Sequence, residues 1–217
     1  MSVKIQWVTP EVDRQILYIA RISNPDNQDS TDTGLLRYCM RHGHVSPFEM
    51  ANACLEINTT RDIARQILRH RSFSFQEFSQ RYADVNLLGD MVERECRMQD
   101  TKNRQNSIEC DPLDDEHDFV MREWLIDQRD VQEIAVAAYN RALKNGVAKE
   151  QARALLPEGL TPSRMYMNGN MRSWVHYLKQ RLHESTQKEH RIIAAQVLKQ
   201  LRTVAPITMA AFFGEAA

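Results

Sequence analysis

Apolar residues recur along this chain at two periods, and each period predicts an element. Val12, Ile16, Leu17, Ile19 and Ala20 fall at helical spacing over residues 11–21, ahead of Ser23-Asn24-Pro25. Leu35, Leu36, Cys39 and Met40 predict a second helix over 33–42, with Gly43 as its stop. Residues 50–58 alternate instead. Ala51, Ala53, Leu55 and Ile57 share one face and Asn52, Glu56 and Asn58 the other, which is the pattern of a half-buried strand. Thr60 is placed to cap a helix from Arg61 to about Arg71, with Ile63, Ile67 and Leu68 facing the core. From Asn86 to His117 the pattern dissolves into polar and acidic sequence and predicts a long loop of weak structure. Asp118 to Asn145 is the longest predicted helix, stopped by Gly146. A short helix follows from about Lys149 to Leu156, ending at Pro157. Residues 162–168 read as extended, with Met165 and Met167 alternating against Tyr166, and two more helices fit 171–182 and 187–204, before Pro206. The order neither alternates regularly nor repeats. It predicts an α+β fold, one domain over 1–217 with a mixed or antiparallel sheet packed by long helices.

Composition narrows the function. The 217 residues are 42% hydrophobic and 26% charged, with 28 Lys+Arg against 29 Asp+Glu and a net charge of -1. That balance argues against a general nucleic-acid binder, which carries a net basic domain. No window is apolar enough for long enough to cross a bilayer, and Met1-Ser2-Val3-Lys4-Ile5-Gln6-Trp7 lacks the apolar core of a signal peptide. Four scattered cysteines (Cys39, Cys54, Cys96, Cys110) form no CxxC pair. Cys39 has His42 and His44 nearby but no second ligand pair at zinc-site spacing, so no metal site is expected. The expected location is the cytoplasm.

The chemistry concentrates in residues 61–82, where Arg61, Arg65, Arg69, Arg71, Arg81 and His70 face only Asp62 and Glu77. Arg61, Arg65 and Arg69 recur at i, i+4 and would line one helical face, where like charges repel unless an anion or solvent screens them. A solvated basic face is the plain explanation. Against it, Arg69-His70-Arg71 lies where the predicted helix ends, so its guanidinium groups fan outward. The triplet leads into Ser72-Phe73-Ser74-Phe75-Gln76-Glu77-Phe78-Ser79-Gln80-Arg81-Tyr82, rich in hydroxyl, amide and aromatic groups. Guanidinium forks bind phosphate and carboxylate bidentately, and aromatic and amide groups suit a flat heterocycle. Such a set holds a nucleotide or an anionic cofactor.

Arg69-His70-Arg71, then Ser79 after seven residues, then Arg81-Tyr82, resembles the signature of the flavin-dependent thymidylate synthases. His44-Val45-Ser46-Pro47-Phe48-Glu49 and Ile19-Ala20-Arg21-Ile22-Ser23 are similar to the family's segments ahead of that signature. Ala152-Arg153 with Leu156-Pro157, and Asn170-Met171-Arg172-Ser173 with Arg181 and Gln187, are similar to segments after it. The resemblance runs from about Arg21 to Gln187. It implies the family's own fold and conversion of dUMP to dTMP, with methylenetetrahydrofolate giving the carbon and FAD reduced by NADPH giving the hydride. It implies a homotetramer whose sites combine residues of several subunits.

Position by position, the resemblance implies dUMP contacts at Gln66, Ile67, Leu68, Arg69, Glu77, Phe78, Ser79, Gln80, Arg81, Arg153 and Arg181, with Arg81 and Arg153 as phosphate ligands. It implies FAD contacts at Ser23, Ser46, Glu49, Arg69, His70, Arg71, Glu77, Asn170, Arg172 and His176. Arg181 is the expected catalytic residue. An arginine stays protonated, so it stabilises a developing negative charge on the uracil ring and does not act as a base. Ser79 has no base evident beside it and is expected to hydrogen-bond substrate, not to attack it. Gln80 stands where glycine is frequent in the family. Two rival readings are a flavin- and folate-dependent modification of another pyrimidine nucleotide, such as hydroxymethylation, and a non-enzymatic RNA- or nucleotide-binding protein.

Overall fold

The computed structural model describes residues 1–215. In chain order its elements are β1 (Ser2–Val8), α1 (Val12–Ala20), α2 (Gly34–Arg41), β2 (Asn52–Thr60), α3 (Arg61–Ile67), β3 (Ser74–Glu77), β4 (Arg97–Gln99), β5 (Ser107–Glu109), α4 (Asp115–Lys144), α5 (Lys149–Ala152), β6 (Pro162–Asn170), α6 (Met171–Arg181), α7 (Lys188–Val204) and α8 (Pro206–Phe213). This is an α+β fold. Four strands form one sheet in the order β1-β2-β6-β3, and β4 and β5 form a separate hairpin. The chain divides into two compact units. One holds Met1–Ile57, Leu68–Gln76 and the residues from Met165 onward; the other holds Asn58–Ile67 and Glu77–Arg164.

In the first unit α7 packs on β1, α6 and α8, and α8 also packs on α2 and α1. Ile16, Leu36, Phe48, Leu55, Trp174 and Tyr177 are fully buried there. Truncating one of the aromatic members to alanine would cost about 3–5 kcal/mol. Pro206 does not end the helical sequence. It occupies the first position of α8, where its missing N–H would have had no partner in any case. The free N–H groups of that helix end are met by the buried carboxylate of Asp13. Its Oδ2 accepts from the Ile207 amide at 2.8 Å, and its Oδ1 accepts from the Thr208 amide at 3.0 Å and hydroxyl at 2.6 Å. Gly169 is required by a close approach, because a Cβ there would lie 2.4 Å from the Phe73 ring. β1 alternates Val3, Ile5 and Trp7 against Lys4 and Gln6, a pattern the sequence reading leaves unused, whereas the four-residue β3 is too short to show a period.

In the second unit α4 begins one turn earlier than its apolar spacing predicts. Asp114 caps it, accepting from the Glu116 and His117 amides at 3.0 Å each. It ends at Lys144, with Asn145 as its cap, followed by Gly146 at φ 80, a conformation few side chains tolerate. Val85, Tyr139 and Ala152 form a small core with Ala142, Leu143 and Leu156 packed around it. The stretch expected to be a loop contains the antiparallel pairs Arg97↔Glu109, Met98↔Ile108 and Gln99↔Ser107. Its turn is organised by Asp100, which accepts from the Lys102 amide at 2.8 Å, the Asn103 amide at 3.1 Å and the Asn106 side chain at 3.0 Å. Strands of three residues without a buried face leave no periodic trace.

Arg94 ties this region together. Its amide donates to Gln128 Oε1 at 2.6 Å and its Nε to the Gly159 carbonyl at 3.0 Å. One terminal nitrogen donates to Thr60 Oγ1 at 2.5 Å and Asp62 Oδ1 at 2.6 Å, at the start of α3. The Trp124 indole and the Gln128 amide both donate to its carbonyl, at 2.9 Å and 3.0 Å.

Candidate active site

Helix α3 stops at Ile67, four residues short of the predicted end, so Arg69 does not share a helical face with Arg61 and Arg65. The chain turns there, with the Phe73 amide bonded to the His70 carbonyl at 3.3 Å. That turn buries His70 and leaves Arg69 and Arg71 exposed. Neither arginine side chain has an ion-pair or hydrogen-bond partner among the described residues.

His70 lies in an aromatic cluster of the first unit. Its ring meets Tyr177 edge-on at 4.9 Å between centroids, and His190 lies 6.3 Å away. The Tyr177 hydroxyl and His190 Nε2 are 3.2 Å apart. Arg181 Nε donates to His70 Nε2 at 2.9 Å, which fixes that nitrogen as an acceptor. Burial, then the Arg181 charge and His176, push the His70 pKa down to about 4. Burial, Arg181 and His70 push His190 down to about 3. Burial raises the Tyr177 phenol well above its ordinary value, against the pull of Arg181. At neutral pH the cluster is therefore uncharged apart from the half-buried Arg181, whose terminal nitrogens have no partner among the described residues.

Next along α6, Asn170 caps the helix by accepting from the Ser173 amide at 2.8 Å, and the Ser173 hydroxyl donates to the Ser72 carbonyl at 3.2 Å. Arg172 pairs with Glu49, and His176 Nε2 lies 2.9 Å from Gln180 Nε2. A cavity of about 420 Å³ is lined by Glu49, Ser72, Asn170, Arg172, Ser173 and His176. Four of the expected flavin contacts thus line one hollow, joined by two serines that the sequence reading left without a role. Ser23 and Ser46 are exposed and lie outside it.

The second unit carries a different hollow, about 380 Å³, lined by Arg61, Arg65, Gln80, Glu150, Arg153, Ala154, Leu156 and Glu158. Arg65 pairs with Glu158, Arg81 Nε lies 3.5 Å from Glu150, and Arg61 lies 3.9 Å from Glu77. Arg153 donates to the Glu150 carbonyl at 3.2 Å. Glu77 also accepts from the Ser163 hydroxyl at 2.6 Å. Burial lowers the Arg61 pKa; Glu77 opposes that, and Arg65 and Arg153 add to it. Gln80 is 3% exposed, and its Nε2 has no hydrogen-bond partner among the described residues. A buried donor left unmade costs about 1–3 kcal/mol, so this amide is a candidate to bind a ligand acceptor. The Ser79 carbonyl accepts from the Tyr82 and Ala83 amides at 3.2 and 3.0 Å, closing a turn. No base lies within hydrogen-bond distance of its hydroxyl among the described residues.

Of the expected dUMP contacts, Gln66, Ile67, Glu77, Phe78, Ser79, Gln80, Arg81 and Arg153 belong to the second unit, and Leu68, Arg69 and Arg181 to the first. All the expected FAD contacts except Glu77 belong to the first. Sequence reasoning missed Tyr177 and His190. Both carry a signal: His190 shares the buried face of α7 with Ile193, Ala194, Val197 and Leu201, and Tyr177 is buried on α6 with Trp174 and Leu178. It also missed the acids Glu150 and Glu158, far in sequence from the arginines they meet.

The family described as thymidylate synthase complementing protein matches residues 5–207. A probable flavin-dependent thymidylate synthase of Paramecium bursaria Chlorella virus 1 is 46% identical over 199 residues, covering 88% of each chain. The flavin-dependent thymidylate synthase of Synechocystis is 48% identical over 188 residues, covering 85% of this chain and 81% of that one. The crystal structure of a UMP/dUMP methylase, PolB of Streptomyces cacaoi, bound with 5-Br dUMP, superposes with a TM-score of 0.78 at 26% identity, over 99% of this chain and 95% of that one. The chain is an enzyme that belongs to the flavin-dependent thymidylate synthase family. No helix among the described residues is long and apolar enough to cross a membrane.

Proposed function

We propose that this enzyme reductively methylates dUMP to dTMP, with methylenetetrahydrofolate as carbon donor and FAD, reduced by NADPH, as hydride source. The observation that carries the reading is Arg181, a half-buried cation held through Nε by an imidazole that is neutral at physiological pH. Carbon five of uracil is a poor nucleophile until negative charge develops on the ring, and a fixed cation beside N3 stabilises that charge. His70 positions Arg181 without neutralising it. Neither His70 nor His190 is poised to act as a base near pH 7, so the electrostatic role falls to the guanidinium.

The residues fit a flavin. Asn170, Arg172, Ser173, Ser72 and His176 surround a hollow with donors, and Arg69 and Arg71 offer free guanidinium groups of the kind that bind a pyrophosphate. When bound, the flavin supplies the hydride. A dinucleotide is longer than this hollow alone, which supports a site assembled from several subunits of a homotetramer. For dUMP, Arg153 and Arg81 are the phosphate ligands, and the buried Gln80 amide supplies a donor to an oxygen acceptor. Ser79 hydrogen-bonds the substrate.

The purified protein tests this directly. It is expected to show a bound-flavin spectrum that NADPH bleaches, and to yield dTMP, identified by mass spectrometry, from dUMP and methylenetetrahydrofolate. A colourless protein that neither binds FAD nor turns over dUMP would sink the reading. Because the structural relative PolB is a UMP/dUMP methylase, UMP is run beside dUMP. A methylated or hydroxymethylated product from UMP would widen or shift the substrate class.

A further inference from the structure

Two of the four thiols, Cys39 and Cys54, are buried; Cys96 and Cys110 are partly exposed and flank the β4–β5 hairpin. Continuing the register one step beyond Arg97↔Glu109 sets Cys96 opposite Cys110. Directly opposed residues of an antiparallel pair have Cα atoms about 4.5–5.5 Å apart, inside the span of about 4.4–6.8 Å that a disulfide accepts.

We propose that Cys96 and Cys110 form a dithiol site that a small-molecule disulfide oxidises to an intramolecular disulfide, clasping the base of the hairpin. One cysteine, as thiolate, attacks the small disulfide, releasing one small thiol and leaving a mixed disulfide. The second cysteine attacks the first one's sulfur, the mixed S–S bond breaks, and a second small thiol leaves. The protein loses two S–H hydrogens and gains one S–S bond; the oxidant takes up two electrons and two protons. Burial and the adjacent Cys110 push the Cys96 thiol up, so only a small fraction of it is thiolate at neutral pH and its exchange with the oxidant is slow.

The clasp has a mechanical consequence. Cys96 lies two residues after Arg94, whose bonds to Thr60 and Asp62 hold the start of α3. Helix α3 carries Arg61 and Arg65, which line the basic hollow. The oxidised hairpin therefore tethers the irregular segment leading into β4, whose Arg94 holds the start of that helix.

The full-length protein is incubated with oxidised glutathione, alkylated under denaturing conditions and digested with trypsin. Lys102 and Arg104 lie between the two cysteines, so cleavage inside the closed loop leaves two peptides joined only by the disulfide. The expected result is that two of the four thiols escape alkylation, that the linked Cys96–Cys110 peptides appear, and that dithiothreitol separates them. Cys110→Ser is expected to stop at a glutathione adduct on Cys96. If that variant fails to fold, the wild-type peptide map decides alone. Four thiols that all remain alkylatable, or separate glutathione adducts on the two cysteines without linked peptides, would overturn the proposal.

Discussion

Arg181 of the first unit and the arginines around the basic hollow of the second are held in opposite ways. In the first, Arg181 leans on a neutral imidazole; in the second, Arg61, Arg65 and Arg81 each face a carboxylate. A neutral acceptor fixes a guanidinium while leaving its charge intact, whereas a carboxylate fixes it and cancels much of its field. The first arrangement suits stabilisation of charge that develops during a reaction. The second suits reversible capture of an anion, which must compete with Glu77, Glu150 and Glu158 for the arginines. Charge count alone, high in both places, would have called them equivalent.

The largest effect should come from the uncancelled cation. Arg181→Ala is expected to lower kcat by roughly 10²–10³-fold or more, the cost of removing one preorganised electrostatic donor. The flavin spectrum should persist, because the hollow at Asn170, Arg172 and His176 remains. Arg181→Lys should recover little, since a lysine lacks the planar fork that reaches His70 and substrate together. Steady-state kinetics beside an absorbance spectrum checks this. Unchanged turnover would remove Arg181 from the mechanism.

Arg153→Ala should act on binding instead. Loss of one charge-assisted contact to phosphate is worth about 1.5–3 kcal/mol, a roughly 10–100-fold rise in KM for dUMP with a smaller change in kcat. A fall in kcat as large as that of the Arg181 variant would erase the distinction between the two hollows.

The neutral imidazoles leave a signature in the pH dependence of stability. Both histidines have pKa values depressed in the fold, to about 4 for His70 and about 3 for His190, from an ordinary 6.5. Between those values and 6.5 the unfolded chain binds more protons than the native one. The stability they contribute is thus fully present above about pH 6.5 and is lost as pH falls, down to about 4 for His70 and on to about 3 for His190. Denaturant melts from pH 7 to pH 4 should show that decline, and His190→Phe should flatten it. An equally steep decline in the variant would place the titration elsewhere.

Much of this was legible in the sequence, and the illegible part has a consistent cause. Long amphipathic segments announced themselves, as did the alternation around Leu55 and Ile57. The pairing of Arg65 with Glu158, or of Arg172 with Glu49, involves partners roughly a hundred residues apart, and no local pattern encodes it. Ile63, Ile67 and Leu68 keep a spacing that reads as helix to about Arg71, while α3 stops at Ile67 and the turn after it buries His70. Helix α8 is hidden because Pro206 reads as an end in the local sequence, whereas Asp13, nearly two hundred residues earlier, makes it a beginning. Local periodicity reports which face is buried; it does not report what the buried polar groups find there.

The smallest expected effect tests the second hollow from its acidic side. Glu158 is about half exposed, at 47% of its side chain, and its partner Arg65 at 61%. Exposed pairs of this kind contribute about 0.2–1 kcal/mol. Glu158→Gln should therefore leave stability nearly unchanged in a thermal melt. It should also release Arg65 to the hollow, lowering KM for dUMP by about fivefold at most. The direction matters more than the size, because a carboxylate that competes with phosphate must weaken binding while it is present. A raised KM would mean that Glu158 helps to hold the nucleotide site in shape, and the contrast between cancelled and uncancelled arginines would then rest on Glu77 and Glu150 alone.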